Sequence, residues 1–165
     1  MRGWLSDGWR GTRIESMPGS WSTHELPHLT EGNCEITSDP ARRYNCIAWA
    51  AGEKTRNWWP DQWGVGFWPS RVPRKVTVDA FIKAYETRGY RLCFDGSLQD
   101  GLEKVALYGK DISGTIVPTH AALQLESGEW TSKLGQLEDI RHATVDDVAG
   151  PLYGSVVCFL SRPRP

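Results

Sequence analysis

The stretch Tyr44-Asn45-Cys46-Ile47-Ala48-Trp49-Ala50 is the part of the sequence on which the predicted fold and chemistry depend. The residues after Cys46 are mostly apolar, as in a buried core helix, and Gly52 can end that helix. Ser38 and Pro40 resemble a helix cap and first turn, so the pattern predicts Cys46 on, or just before, a helix. Because helix N-termini favour thiolates, Cys46 is a candidate nucleophile. The alternative is a small buried side chain that only fills the core.

Length and composition restrict the class of protein. A chain of 165 residues fits one domain with its own core, and its net charge of −1 gives no basic footprint for nucleic acid. The sequence contains no apolar run long enough for a membrane span. Its N-terminus lacks the apolar segment of a signal peptide, so we expect a cytoplasmic protein, or one exported without a signal peptide.

The four cysteines are widely spaced and form no C-x-x-C motif. Their spacing predicts neither a zinc site nor a disulfide framework, and we expect reduced thiols, no metal and no cofactor. The sequence does not indicate an oligomeric state.

Tryptophan is concentrated in the N-terminal half, where all nine except Trp130 lie. Residues 1–30 are predicted to form an irregular arm, rich in Trp, Gly and Pro, that Trp4, Trp9 and Trp21 attach to a single domain over residues 31–165.

A second group of tryptophans lies in and before the loop of residues 57–69, which contains several prolines and glycines. This loop is expected either to cover the core or to form an aromatic wall of a cleft beside Cys46. In the second case the substrate-binding residues are Asn45, Trp49, Trp58 and Trp59.

The remaining chain alternates helix and strand signals. Thr77 caps an amphipathic helix that ends at Gly89. Strands are predicted at residues 90–94, 104–108, 116–125, 130–134 and 155–160, with a helical turn at 144–149. The sum is an α+β domain in which helices are segregated from an antiparallel meander of four or five strands.

His120 lies on the first strand of the plainest hairpin and is the candidate partner of Cys46. A neutral imidazole can take the thiol proton and later protonate a leaving amine. The alternative is a structural hydrogen-bond donor. A catalytic histidine also needs a group that orients its far nitrogen, and five polar residues follow on the return strand or just past it: Thr131, Ser132, Gln136, Glu138 and Asp139.

The register of this hairpin decides which of those residues faces His120. A two-residue loop at Ser127 and Gly128 puts Thr131 on the histidine face, whereas a three-residue loop with a bulge at Gly128 brings Ser132 there. The sequence leaves both registers open.

The order of a helix cysteine preceded by Asn45, followed by the strand Thr119-His120-Ala121-Ala122, resembles the papain-like cysteine hydrolases, and most closely their NlpC-type and CHAP branches. The resemblance implies a papain-like α+β fold and cleavage of peptide or amide bonds. It also implies that Cys46 attacks, that His120 is the base, and that Ser132 or Glu138 is the third residue.

A narrower resemblance covers residues 38–163. The phrases Asn45-Cys46-Ile47-Ala48-Trp49-Ala50, Trp58-Trp59-Pro60, Glu103-Lys104-Val105-Ala106-Leu107-Tyr108 and Trp130-Thr131-Ser132-Lys133-Leu134-Gly135 are similar to an uncharacterised bacterial domain family.

These observations favour a cysteine hydrolase or acyltransferase that acts on a peptide or another amide, with a protein among the candidate substrates. One alternative is a non-catalytic module of the same fold that binds a partner through its Trp-rich loop. Another is an intracellular effector or toxin domain with protease or deamidase activity.

Overall fold

The computed structural model describes residues 19–165, and its main feature is one antiparallel sheet of seven strands. The strands are β1 (Cys34–Ile36), β2 (Arg91–Cys93), β3 (Leu102–Ile112), β4 (Thr115–Gln124), β5 (Trp130–Lys133), β6 (Asp139–His142) and β7 (Ser155–Pro163). Their order across the sheet is β1-β6-β5-β4-β3-β7-β2. The long strands β3 and β4 therefore lie at the centre.

The described helices are short. Helix α1 spans Cys46–Ala50, helix α2 spans Val78–Glu86, and a 3₁₀ turn spans Val145–Val148. The predicted α+β, papain-like or NlpC-like fold is therefore wrong, because residues 19–165 form a β-rich domain with two short helices. The sequence interpretation also lacked two strands, β1 and β6, which extend the sheet beyond β5.

Local sequence explains where both helices begin. The Asn45 side chain accepts a hydrogen bond from the N–H of Ala48 at 3.1 Å, and Thr77 accepts one from Ala80 at 3.2 Å. The expected earlier start at Ser38 is wrong: the Ser38 hydroxyl accepts a hydrogen bond from the Asp139 N–H of β6 at 3.1 Å.

The hairpin between β4 and β5 has the longer of the two loops considered. Leu125 and Glu129 are joined by a backbone hydrogen bond of 2.8 Å, which leaves three residues in the loop, and Gly128 has a φ of 90°. Glycine adopts this left-handed conformation without steric cost. Ser132 is consequently paired with Ala122 and lies on the same face of the sheet as His120.

Each face of the sheet carries its own core. On the first face, both helices and the Trp-rich loop pack on residues such as Leu107 and Ala121. On the second face, Ala122 and Tyr108 are covered by Trp21 and by other residues between 19 and 30, and by the 3₁₀ turn. Trp21 is buried as expected for the arm, whereas Trp4 and Trp9 lie outside the described residues.

Candidate active site

Cys46 is the first residue of α1, and Asn45 directly before it is the N-cap. The Asn45 side chain forms three hydrogen bonds to backbone groups, because its amide group donates to the Trp58 carbonyl at 2.8 Å and its oxygen accepts from the N–H groups of Trp58 and Ala48. This amide therefore fixes both the start of the helix and the start of the aromatic loop.

The Cys46 sulfur lies beside the backbone of β4, where this strand separates from β5. The ladder between the two strands ends at the pair Ala122 and Ser132, and the N–H of Ala121 contacts the sulfur instead. Ala121 directly follows His120. Ala121 faces the first core with Cys46, whereas the His120 side chain faces the second core, so the predicted nucleophile and the predicted base approach β4 from opposite faces of the sheet.

Opposing effects act on the Cys46 thiol. Burial raises its pKa to about 11, while the N–H groups of Ala121, Ile47 and Cys46 and the ammonium of Lys133 favour the thiolate. Burial prevails, so the resting form near neutral pH is the protonated thiol. Such a thiol needs a base to become a nucleophile.

His120 lies in the second core, where its ring is stacked on Tyr153 at a centroid distance of 4.0 Å and meets the edge of Tyr108 at 5.2 Å. Its Nε2 atom is 2.9 Å from the Ser132 hydroxyl oxygen. That oxygen is 2.8 Å from Nε2 of His142, whose Nδ1 atom is 2.8 Å from the carbonyl of Thr144. Four groups therefore form a continuous buried chain.

The direction of this chain follows from its last member. A carbonyl only accepts, so His142 must carry its proton on Nδ1, and its Nε2 is then an acceptor when the ring is neutral. The Ser132 hydroxyl donates to that acceptor, and its oxygen accepts from the Nε2–H of His120. The Nδ1 atom of His120 is consequently unprotonated.

Both histidines are held in the neutral form. Burial lowers the pKa of His120 well below its usual value, and repulsion from His142 adds to this shift. Burial also lowers the pKa of His142, although the Thr144 carbonyl and Asp147 oppose the shift. Nδ1 of His120 is buried and has no hydrogen-bond partner among the described residues. The site therefore contains a free, oriented imidazole base.

A cleft of about 450 Å³ has Asn45, the residue before Cys46, in its wall, but neither Cys46 nor His120 lines it. Its walls include Trp59, Trp63 and Val65 from the aromatic loop, with Gln136 from the turn after β5. Trp63 is 81% exposed. The loop therefore packs on the core and also lines the cleft, which combines the two arrangements expected from the sequence.

The other tryptophans proposed to bind substrate lie elsewhere. Trp58 is fully buried, and its indole N–H donates to Glu53 at 2.8 Å. Trp49 is partly buried, stacks on Tyr44 and donates to the Thr131 hydroxyl. Of the three tryptophans predicted to bind substrate (Trp49, Trp58 and Trp59), Trp59 alone lines the cleft.

Glu138, the other candidate for the orienting residue, lies in the turn into β6. Its carboxylate accepts a hydrogen bond from Ser20 at 2.7 Å, and no hydrogen bond joins it to His120 among residues 19–165. The histidine is therefore bonded to Ser132 and not to Glu138.

Sequence reasoning did not identify His142 or Tyr153 as part of the site. The strand that carries His142 was not predicted from the sequence. The one signal that points to it is the alternation of Ile140 and His142, two residues that face the same core once β6 is known.

Within the described part of the chain, no three His, Cys, Asp or Glu side chains are grouped so as to hold a metal ion. No described helix has the length and apolar character needed to cross a bilayer.

Comparison with known proteins assigns a family. The model of a domain family of unknown function, DUF7689, matches residues 35–161. The chain belongs to this family. The predicted membership of an uncharacterised domain family is thus confirmed, over almost the predicted range. No curated protein and no solved structure matches the chain. A DUF7689 domain brings no known activity, so the chemistry has to be argued from the geometry of the site.

Proposed function

We propose that this protein is a cysteine hydrolase or acyltransferase that cleaves or exchanges an amide or peptide bond. The observation that carries the proposal is the free Nδ1 atom of His120, whose far nitrogen is held by Ser132. The proposal requires the His120 ring and the Cys46 sulfur, which pack in different cores, to meet where β5 leaves the edge of β4. A thiol, a base and a group that orients the base are what nucleophilic catalysis requires.

In the proposed reaction the Cys46 thiol gives its proton to Nδ1 of His120 while the sulfur attacks the substrate carbonyl carbon. The bond from that carbon to the amide nitrogen then breaks, and His120 returns the proton to the leaving amine. Water attacks the resulting thioester and frees the sulfur, or a second amine does so in an acyl transfer. Burial keeps the resting pair neutral, so the proton moves during the attack.

The oxyanion of this reaction needs donors, and the Cys46 N–H is the natural one. It belongs to the first turn of α1, where backbone N–H groups have no partner within the helix. The Asn45 side chain is already bonded to the backbone and acts here by holding that turn in place.

The test is acylation by p-nitrophenyl acetate, followed as p-nitrophenol release and located by peptide mass spectrometry. We expect the acetyl group on Cys46 and no release above background from Cys46→Ala. Cys158→Ala is the matched control. Burial raises the pKa of Cys158 to about 11 as well, but this cysteine lies on a strand and has no histidine partner among the described residues. His120→Gln should slow acylation by at least about 100-fold, the lower range for a general base.

Acetylation spread over several cysteines, at a rate that His120→Gln leaves unchanged, would contradict the proposal. The non-catalytic binding module would then be the better account. The effector alternative uses the same chemistry on a glutamine side chain or a protein backbone, so ammonia release or cleavage of a protein substrate would identify it.

A further inference from the structure

The cleft beside Cys46 continues into a second groove of about 500 Å³. Asn57, Val65 and Gly66 line both spaces. The first space has apolar walls, including Trp59 and Trp63, whereas the second is bordered by three arginines: Arg43, Arg56 and Arg74. One continuous surface therefore joins a mainly apolar pocket to a groove with three arginines at its border, of which Arg56 and Arg74 are paired with Glu53 and Asp61.

The charge of this region differs from that of the whole chain. Residues 41–76 contain seven basic residues and two acidic ones, although the net charge of the protein is −1. The basic residues are Arg42, Arg43, Lys54, Arg56, Arg71, Arg74 and Lys75. Positive charge is thus concentrated around the site.

The two acidic residues of this region are already engaged. Glu53 pairs with Arg56 and Arg88. The Asp61 carboxylate accepts three backbone N–H bonds from its own loop, from Trp63, Val65 and Gly66, and pairs with Arg74 at 3.7 Å.

Arg43 remains available for a ligand. Its Nε donates to the Lys54 carbonyl at 3.2 Å, and within residues 19–165 it forms no salt bridge. Because its charge is not balanced by a described carboxylate, an acidic ligand can pair with Arg43 without displacing an internal partner.

We propose that the joined groove binds an acidic polypeptide segment that carries one apolar side chain. The apolar side chain enters the cleft at Trp59 and Trp63, and the carboxylates face the arginines. This inference rests on the proposed function, since it names the substrate class of the Cys46 site. Residues 1–18 are a poor occupant, because their three arginines outnumber their two acidic residues.

Binding is measured on the full-length Cys46→Ala variant, by fluorescence anisotropy of rhodamine-labelled peptides with blocked ends. The first peptide is Glu-Glu-Gly-Leu-Gly-Glu-Glu, the second has Lys in place of each Glu, and the third has Ser in place of Leu. We expect the first to bind, the second to bind at least about tenfold more weakly, and the third several-fold more weakly.

Two charge reversals test whether the acidic peptide binds in the groove or elsewhere on the surface. Arg43→Glu should weaken binding of the acidic peptide by about 3–10-fold at low salt, and the difference should shrink near about 0.5 M salt. The matched control is Arg91→Glu, which makes the same charge change on an exposed residue of edge strand β2 and should leave the affinity unchanged.

Equal binding of the acidic and basic peptides, or no binding of either, would overturn the proposal. Equal effects of Arg43→Glu and Arg91→Glu would do the same, and so would preferential binding of a single-stranded oligonucleotide. The variant lacks the nucleophile, so its binding does not depend on chemistry at Cys46. Peptide binding without acetylation of Cys46 in the wild-type protein would refute the proposed enzyme activity but support the proposed binding groove.

Discussion

Replacing Ser132 by alanine tests the buried chain at its centre. The Ser132 hydroxyl is fully buried and bridges Nε2 of His120 at 2.9 Å and Nε2 of His142 at 2.8 Å. Alanine leaves one donor and one acceptor unpaired in the core. At about 1–3 kcal/mol for each unsatisfied group, the free energy of unfolding should fall by about 2–6 kcal/mol.

The same change should reduce the reactivity of Cys46. Without Ser132 the His120 proton is no longer fixed on Nε2, and the ring loses its anchor, so fewer molecules hold a base on Nδ1. We expect acetylation of Cys46 to slow by about 10²-fold, the lower end of the contribution of a general base. Ser132→Thr keeps the hydroxyl and should recover most of the rate.

Thr131→Val is the matched control on the same strand. It also removes a hydroxyl with two hydrogen bonds, to Trp49 at 3.1 Å and Ile140 at 2.9 Å, but on the other face of the sheet. Stability is measured by urea unfolding and reactivity by p-nitrophenol release. The reasoning is refuted if Ser132→Ala reacts as fast as wild type, or if Thr131→Val slows the reaction equally.

Acidification should destabilise the fold through His120 and His142, because burial lowers both pKa values and the unfolded chain then binds more protons. The stability is complete above the unfolded pKa of about 6.5 and falls as the pH drops towards the folded pKa values, by up to about 1.4 kcal/mol per pH unit and histidine. Urea unfolding between about pH 7 and pH 5 measures this. A His142→Gln variant with an unchanged slope would contradict it, and the exposed His24→Gln is the control. Two tryptophans of the aromatic loop should separate packing from binding: Trp58→Ala opens a cavity in the core and should cost about 3–5 kcal/mol. Trp63→Ala, at an 81% exposed residue, should change stability by less than about 0.5 kcal/mol yet weaken binding of the acidic leucine peptide. Similar melting shifts for the two variants would count against this assignment.

Much of the local structure could be predicted from the sequence, because it depends on signals within a few residues. Thr77 and the apolar spacing after it define α2, and Gly89, with a φ of 88°, follows its end. Asn45 likewise caps α1 at Cys46. Strands β3, β4, β5 and β7 were each predicted at least in part, because apolar and β-branched residues mark them.

The predicted fold class failed where the signal is not local. Strands β1 and β6 have three and four residues, and the sequence of β6, Asp-Ile-Arg-His, looks polar. Three of its four residues are buried, because β5 and β1 flank it and the second core covers it. A sheet extended by such strands cannot be inferred from propensity, since the burial of each strand depends on a partner distant in the chain.

The sequence alone determined the candidate residues Cys46, His120 and Ser132, because thiol, imidazole and hydroxyl groups have defined chemistry wherever they lie. The tertiary structure decided how these residues are arranged relative to one another. The three-residue loop at Gly128 turned Ser132, and not Thr131, towards His120, since a shift of one residue moves every side chain of a strand to the other face. Tertiary packing also added His142, because this residue reaches Ser132 only after strands far apart in sequence have paired.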